Sequence, residues 1–182
     1  MSFWEMSQLV FCYFRHKVFN LALLDCHQII FHVYFKDKCV HWLHEQVLSF
    51  LLQADDLFHP ELLQILHDGK HDHHVVLASS SPDFLVGPIA NQLGLTHWIG
   101  SIYAINDHQR ASYLKKLVDG KAKAEYVQDL AKTLQVPLNQ MTFYTDSILD
   151  LPLLEIVGKK VCVNPDRKLT QLAELHNWEI MS

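Results

Sequence analysis

The stretch from Met141 to Glu155 does most to restrict what this chain can fold into. It opens with a short apolar and aromatic run, Met141 to Tyr144, of strand character. Thr145 and Asp146 follow, then a second carboxylate at Asp150 and an apolar run that Gly158 ends. Pro152 near the start of that run and Gly158 after it fit helix start and stop signals. A strand that enters a turn with two acids and then a helix places both carboxylates at one edge of a sheet. In open α/β sheets the carboxyl edge of the strands is where ligands bind. Two hard oxygen donors there suit Mg²⁺, which takes a few carboxylates together with waters and substrate phosphate. The same spacing also fits a plain capped helix, with Asp146 as the cap and Asp150 as a solvated acid of the first turn.

The chain before and after that stretch alternates strands with helices. Val75 to Ala78 reads as a buried strand, and Ser79, Ser80 and Ser81 follow it. Pro82 and Asp83 open a helix that closes near Gly94, with Ser81 as N-cap and Pro88 bending it. A strand, a serine turn and a helix N-terminus together offer hydroxyls and free N–H groups to an anion; a capped helix with no ligand has the same pattern. Trp98 to Ile105 is a second strand, and Asn106 to Tyr113 reads as loop. Asp119 to Lys123 leads into a helix with Val127, Leu130, Ala131 and Leu134 on its apolar face. Lys123 falls in the first turn, where a cation is disfavoured unless an anion sits nearby. Lys160 to Val163 is a further strand. It precedes a turn at Asn164 to Asp166 and a final helix carrying Leu169, Leu172, Ala173 and His176. This alternation predicts a parallel sheet with helices on its faces.

Residues 1–58 read differently. They hold no Gly or Pro and are rich in aromatic, aliphatic and His residues. Val40, Leu43, Val47, Leu48 and Leu51 recur at helical spacing, and Asn20 to Phe35 is read as helix rather than strand. The region is expected to be a small helical subdomain, with residues 59–182 as the α/β core and Pro60 to Asp68 as that core's first helix. His27, His32, His41 and His44, and the histidine-rich run from His67 to His74, lack the spacing of a metal site. The formal charge of −5 argues against a general nucleic-acid binder. No run is long and free enough of charge to span a membrane. Four scattered cysteines without a Cys-x-x-Cys predict reduced thiols and a cytoplasmic protein. The start carries Glu5 where a signal peptide needs basic residues.

Four segments in order, Val75 to Pro82, Gly120 to Lys123, Tyr144 to Leu154 and Val161 to Asp166, carry a resemblance. The chain resembles the haloacid dehalogenase-like (HAD) superfamily, in its phosphoserine-phosphatase-like branch with a helical cap. The resemblance implies a HAD-like Rossmannoid parallel sheet with flanking helices, and a cap formed by residues 1–58. It implies a Mg²⁺-dependent phosphatase acting on a small phosphorylated metabolite. Ser79 would be the hydroxyl that hydrogen-bonds the transferring phosphoryl group, and Ser80 would lend a backbone N–H. Lys123, rather than Lys121, would be the cation that neutralises its charge. Asp146 would bind Mg²⁺, and Asp150 would support the metal or orient Lys123. Ser79, Ser80 and Lys123 would then lie around one pocket.

One part of the pattern is missing. Members of this branch begin with a strand ending in Asp-x-Asp-x-Thr, whose first Asp is the nucleophile, and no Asp-x-Asp occurs in this chain. The nearest imitation is the apolar run ending in Asp25, with His27 where the second acid belongs. The expectation is therefore a phosphatase scaffold that is truncated or has a misplaced start, and is inactive as written. A non-catalytic phosphate- and metal-binding remnant, or a helix-rich interaction protein, are the alternatives. By the same resemblance the missing strand would lie centrally in the sheet. Two bare edges would then lower stability, at about 1–3 kcal/mol per unsatisfied buried group, unless a segment such as Leu9 to Phe14 fills the gap.

Overall fold

The computed structural model describes residues 22–52 and 58–182. They fall into two compact units, one ending at Leu117 and the other running from Val118 to Ser182.

In the first unit, helix α1 (Leu23–Ile30) continues into a wider π turn (Phe31–Phe35), so the region read as helix is helical from Leu23 onward. Helix α2 (Val40–Leu51) buries Leu43, Val47 and Leu51, three of the five residues in the expected helical repeat. Helix α3 (Pro60–Gly69) begins on its proline, which loses nothing there because the first N–H of a helix has no internal partner. Strand β1 (Val76–Pro82), helix α4 (Asp83–Gln92), strand β2 (His97–Ile105) and strand β3 (Ala111–Lys116) complete the unit. The sheet order is β1-β2-β3, with β1 parallel and β3 antiparallel to β2. Phe31, Leu43, Tyr103 and Ala111 form the core that joins the helices to this sheet, with Phe35, Phe84 and Leu114 packed around them.

Two readings of this region change. The expected strand of Val75 to Ala78 runs on through the serines to Pro82, so Ser81 caps no helix and Pro82 takes the N-cap position instead. The backbone continues beside β2, with Ala78 opposite Ile99 and Pro82 opposite Ser101 across an irregular step. The expected loop of Asn106 to Tyr113 is shorter. Asn106 holds a tight turn by accepting N–H groups from His108 and Arg110 at 3.0 and 3.1 Å, and the chain returns as β3.

The second unit contains helix α5 (Gly120–Leu134), strand β4 (Thr142–Thr145), helix α6 (Leu151–Leu154), strand β5 (Lys159–Val163), helix α7 (Arg167–His176) and strand β6 (Glu179–Met181). Its sheet is wholly parallel, in the order β4-β5-β6. Two cores share this sheet. Ala124, Val127, Leu153 and Val157 form one, and Leu154, Cys162, Leu169 and Ala173 the other, with Phe143 packed against both. Leu153 and Leu154 are 1% and 0% exposed, and each such side chain contributes roughly 1.5–3 kcal/mol relative to exposure. The helix expected from Pro152 to Gly158 is short. A 3₁₀ turn (Ile148–Asp150) precedes the four residues of α6, and the Gly158 N–H bonds back to the Leu138 carbonyl at 3.0 Å.

The protein is thus an α/β structure with parallel strand pairing and flanking helices. Among the described residues β1 pairs only with β2, and β4 only with β5, so each leaves one edge bare. Leu9 to Phe14 lies outside the described residues. No described helix is long and apolar enough to cross a membrane. The described cysteines Cys26, Cys39 and Cys162 form no disulfide with one another.

Candidate functional site

Strand β4 ends at Thr145, which is buried, and Asp146 follows it into solvent. The chain then folds tightly back. The Ser147 N–H donates to the Thr145 hydroxyl at 3.2 Å, and the Leu149 N–H donates to the Ser147 hydroxyl at 3.3 Å. Ser147, not Asp146, caps the 3₁₀ turn. The turn delivers Asp150 inward, where it is 7% exposed. The plain capped-helix reading fails on both acids, since Asp146 caps nothing and Asp150 is not solvated.

Asp150 meets Lys123 there. The Lys123 ammonium donates to Asp150 Oδ1 at 2.6 Å, and the Thr145 hydroxyl donates to Asp150 Oδ2 at 2.8 Å. Lys123 is itself only 6% exposed, whereas Lys121 lies on the exposed face of the same helix. An ammonium has three N–H donors. Asp150 takes one, and no other partner of the Lys123 side chain exists among the described residues. Unmet donors in a desolvated place are costly, so a buried cation with donors to spare can take an anion.

Gly120 makes the meeting possible. A Cβ on Gly120 would come within 1.9 Å of the Leu149 carbonyl oxygen. Only a residue without a side chain lets the start of α5 approach the β4 turn so closely. Asp119 caps that helix by accepting the Ala122 N–H at 2.9 Å. Asp166, quoted above only as part of a motif, turns out to be a structural hub. It accepts the Ile148 N–H at 2.8 Å and caps α7 through the N–H groups of Lys168 and Leu169. Its own N–H donates to the Asp146 carbonyl at 2.7 Å, which fixes the backbone at the end of β4.

The donor set can be tested against Mg²⁺. The Asp146 carboxylate is exposed and has no partner among the described residues, so it fits a hard cation that keeps several waters. Both Asp150 oxygens are engaged, so its geometry suits holding Lys123. Among the described residues no group of three or more His, Cys, Asp or Glu side chains converges, the His41 and His44 pair included.

Ser79 and Ser80 belong to the first unit, at the carboxyl end of β1. Both are half-buried. The Ser79 hydroxyl accepts the Ser81 N–H at 3.1 Å, which leaves its own proton to donate. The Ser80 carbonyl is held by the fully buried Ser101 hydroxyl at 2.7 Å. The start of α4 already carries an acid: the Asp83 carboxylate accepts the Phe84 N–H at 3.0 Å. Burial pushes the Asp83 carboxyl above its usual range, against the pull of backbone N–H groups including that of Tyr103. Nearby, burial and the Asp83 charge push the Tyr103 phenol up to about 12. Tyr103 also meets His27, whose Nδ1 lies 2.8 Å from the phenol oxygen.

The sequence singles out Lys123, Asp146, Asp150, Ser79 and Ser80 by their positions at strand and helix ends, with roles that the resemblance implies. It passes over Thr145, whose hydroxyl looks like any strand-end threonine until the turn brings Asp150 back to it.

Comparison with known proteins bears on the family and the fold. The family model for haloacid dehalogenase-like hydrolases matches residues 16–155. A "probable phosphatase" of Mycobacterium tuberculosis is 38% identical over 108 residues, covering 59% of this chain and 38% of that protein. A histidinol-phosphatase of Neisseria meningitidis is 26% identical over 167 residues, covering 88% of this chain and 74% of that protein. This chain therefore spans well under half the length of the mycobacterial relative. Among solved structures, a Bordetella pertussis protein of unknown function superposes with a TM-score of 0.78 over 94% of this chain and 79% of that chain, at 17% identity. A phospho-aspartyl intermediate analogue of phosphoserine phosphatase does so with a TM-score of 0.70 over 96% of this chain and 79% of that chain, at 15% identity. These two likenesses concern the fold.

Proposed function

The chain belongs to the haloacid dehalogenase-like hydrolases, and from that premise we propose that it is a phosphate-binding phosphatase scaffold without the covalent step. The observation that carries this reading is Lys123, a buried ammonium with one of its three donors spent on Asp150. Its two remaining N–H groups suit phosphoryl oxygens, whose charge must be neutralised in transfer. Asp150 holds Lys123 in place through its 2.6 Å contact, and Ser79 and Ser80, at the end of β1 in the other unit, offer a hydroxyl proton and a backbone N–H of their own to an anion. Asp146 is the residue that would hold Mg²⁺, with weak affinity because no second free carboxylate accompanies it among the described residues. When bound, the ion supplies further charge neutralisation at the phosphoryl oxygens. The ligand class is a small phosphomonoester, as the names of the phosphatase relatives suggest. A cytoplasmic setting is part of this reading, supported by four scattered cysteines without a Cys-x-x-Cys.

Lysine, hydroxyls and metal can hold a phosphoryl group but cannot replace an attacking carboxylate. The sequence as given has no Asp-x-Asp. Asp25 is exposed on α1. The test is an assay of the purified chain with a generic phosphomonoester and Mg²⁺. No turnover above buffer is expected. Turnover that Asp146→Asn abolishes would overturn the non-catalytic half and make Asp25 the residue to mutate.

A second reading, a helix-rich interaction protein, rests on the exposed Trp42, Leu48 and Phe50 of α2. It predicts association that depends on protein concentration, with no response to phosphate.

A further inference from the structure

We propose that Thr145 is a positioning residue that fixes the Asp150 carboxylate so that it takes one Lys123 proton and leaves the other two for a ligand. The inference deepens the phosphate-binding reading and rests on it for the ligand, but its geometric content stands apart. A carboxylate beside an ammonium tends to turn both oxygens toward it, since each charge-assisted hydrogen bond is strong. Here the second oxygen is already occupied. The Thr145 hydroxyl has one proton, and the Ser147 N–H at 3.2 Å fills its acceptor side. That proton is therefore directed to Asp150 Oδ2, at 2.8 Å, while Oδ1 keeps Lys123 at 2.6 Å. All three side chains are buried, at 8%, 7% and 6% exposure for Thr145, Asp150 and Lys123, so water does not readily substitute for the hydroxyl. Because β4 and the turn after it set the place of Thr145, the hydroxyl transmits the strand end to the lysine.

Removing the hydroxyl frees Oδ2, which then turns to a second Lys123 proton. The ammonium becomes more tightly gripped and less available. A threonine that merely filled space would give the opposite result, a looser pair on truncation.

The test is the exchange of the Lys123 ammonium protons with water, read by ¹⁵N NMR on the full chain. In Thr145→Val and in the smaller Thr145→Ala, exchange slows about tenfold, the worth of one added hydrogen bond to a charged group. In Thr145→Ser, which keeps the hydroxyl, the wild-type rate returns. Exchange that is unchanged or faster in both the valine and alanine variants overturns the proposal, as does slowing in the serine variant. Titration with inorganic phosphate separates the two layers. Affinity that falls about tenfold in Thr145→Val and recovers in Thr145→Ser supports both. A wild-type chain that binds no phosphate, yet shows the predicted exchange pattern, sinks the ligand and leaves the role of Thr145 intact.

Discussion

The two strand ends that carry the candidate groups are built in different ways. After β1, the serines make short bonds within their own surroundings: Ser79 to Ser81, and Ser80 to Ser101 of the paired strand. After β4, the turn draws in a lysine from a helix 27 residues away in sequence and closes a buried set of Lys123, Asp150 and Thr145. Hydroxyls are neutral and tolerate half-burial. A buried charge does not, because removing one partner leaves an uncompensated ion. The first strand end should therefore be robust to substitution, and the second should behave as a unit.

The largest effect expected from this contrast is at Asp150. Asp150→Ala strands the Lys123 ammonium in a buried place and should cost about 3–5 kcal/mol, read by urea unfolding. Gly120→Ala comes next. Its Cβ meets the Leu149 carbonyl, and the forced shift of α5 should cost about 1–3 kcal/mol in the same measurement. Ser101→Ala, which orphans the Ser80 carbonyl at the first strand end, should cost about 1 kcal/mol. Ser79→Ala should leave stability within about 0.5 kcal/mol. A Ser79→Ala loss as large as that of Asp150→Ala would erase the distinction.

A smaller effect concerns pH. Burial holds His27 below its ordinary value of 6.5, so the folded chain keeps it neutral where the unfolded chain protonates it. Between that lowered value and 6.5 the unfolded state binds more protons, so stability falls as pH drops through this window. Comparison of wild type with His27→Gln from pH 7 to pH 5 checks the sign: the substitution should flatten that slope.

Much of the second strand end was legible in sequence because its residues sit at places with strong local rules. Asp146 follows an apolar strand, and Lys123 contradicts the helix dipole. The buried partnership of Asp150 with Thr145 was not legible, since it depends on a 3₁₀ turn too short to leave a periodic signal. The strands β3 and β6 were missed for similar reasons. β3 starts inside the polar stretch Asn106 to Tyr113 that reads as loop, and an irregular step opposite Ala104 and Ile105 breaks its alternation, leaving Ala111 buried and Tyr113 exposed. β6 is three residues long and, among the described residues, pairs only along β5. Ser81 reads as a helix cap because Ser-Pro-Asp is a good helix start, while pairing with β2 carries the strand two residues beyond Ser80.

The central claim is that Lys123 makes this scaffold an anion site. Calorimetric titration of inorganic phosphate, with Mg²⁺ present, into wild type and into Lys123→Met/Asp150→Asn tests it most directly, because the double substitution removes both buried charges together. Saturable binding by the wild type, weakened at least about tenfold in the double variant, is the result predicted. Equal affinity in the two proteins would contradict it.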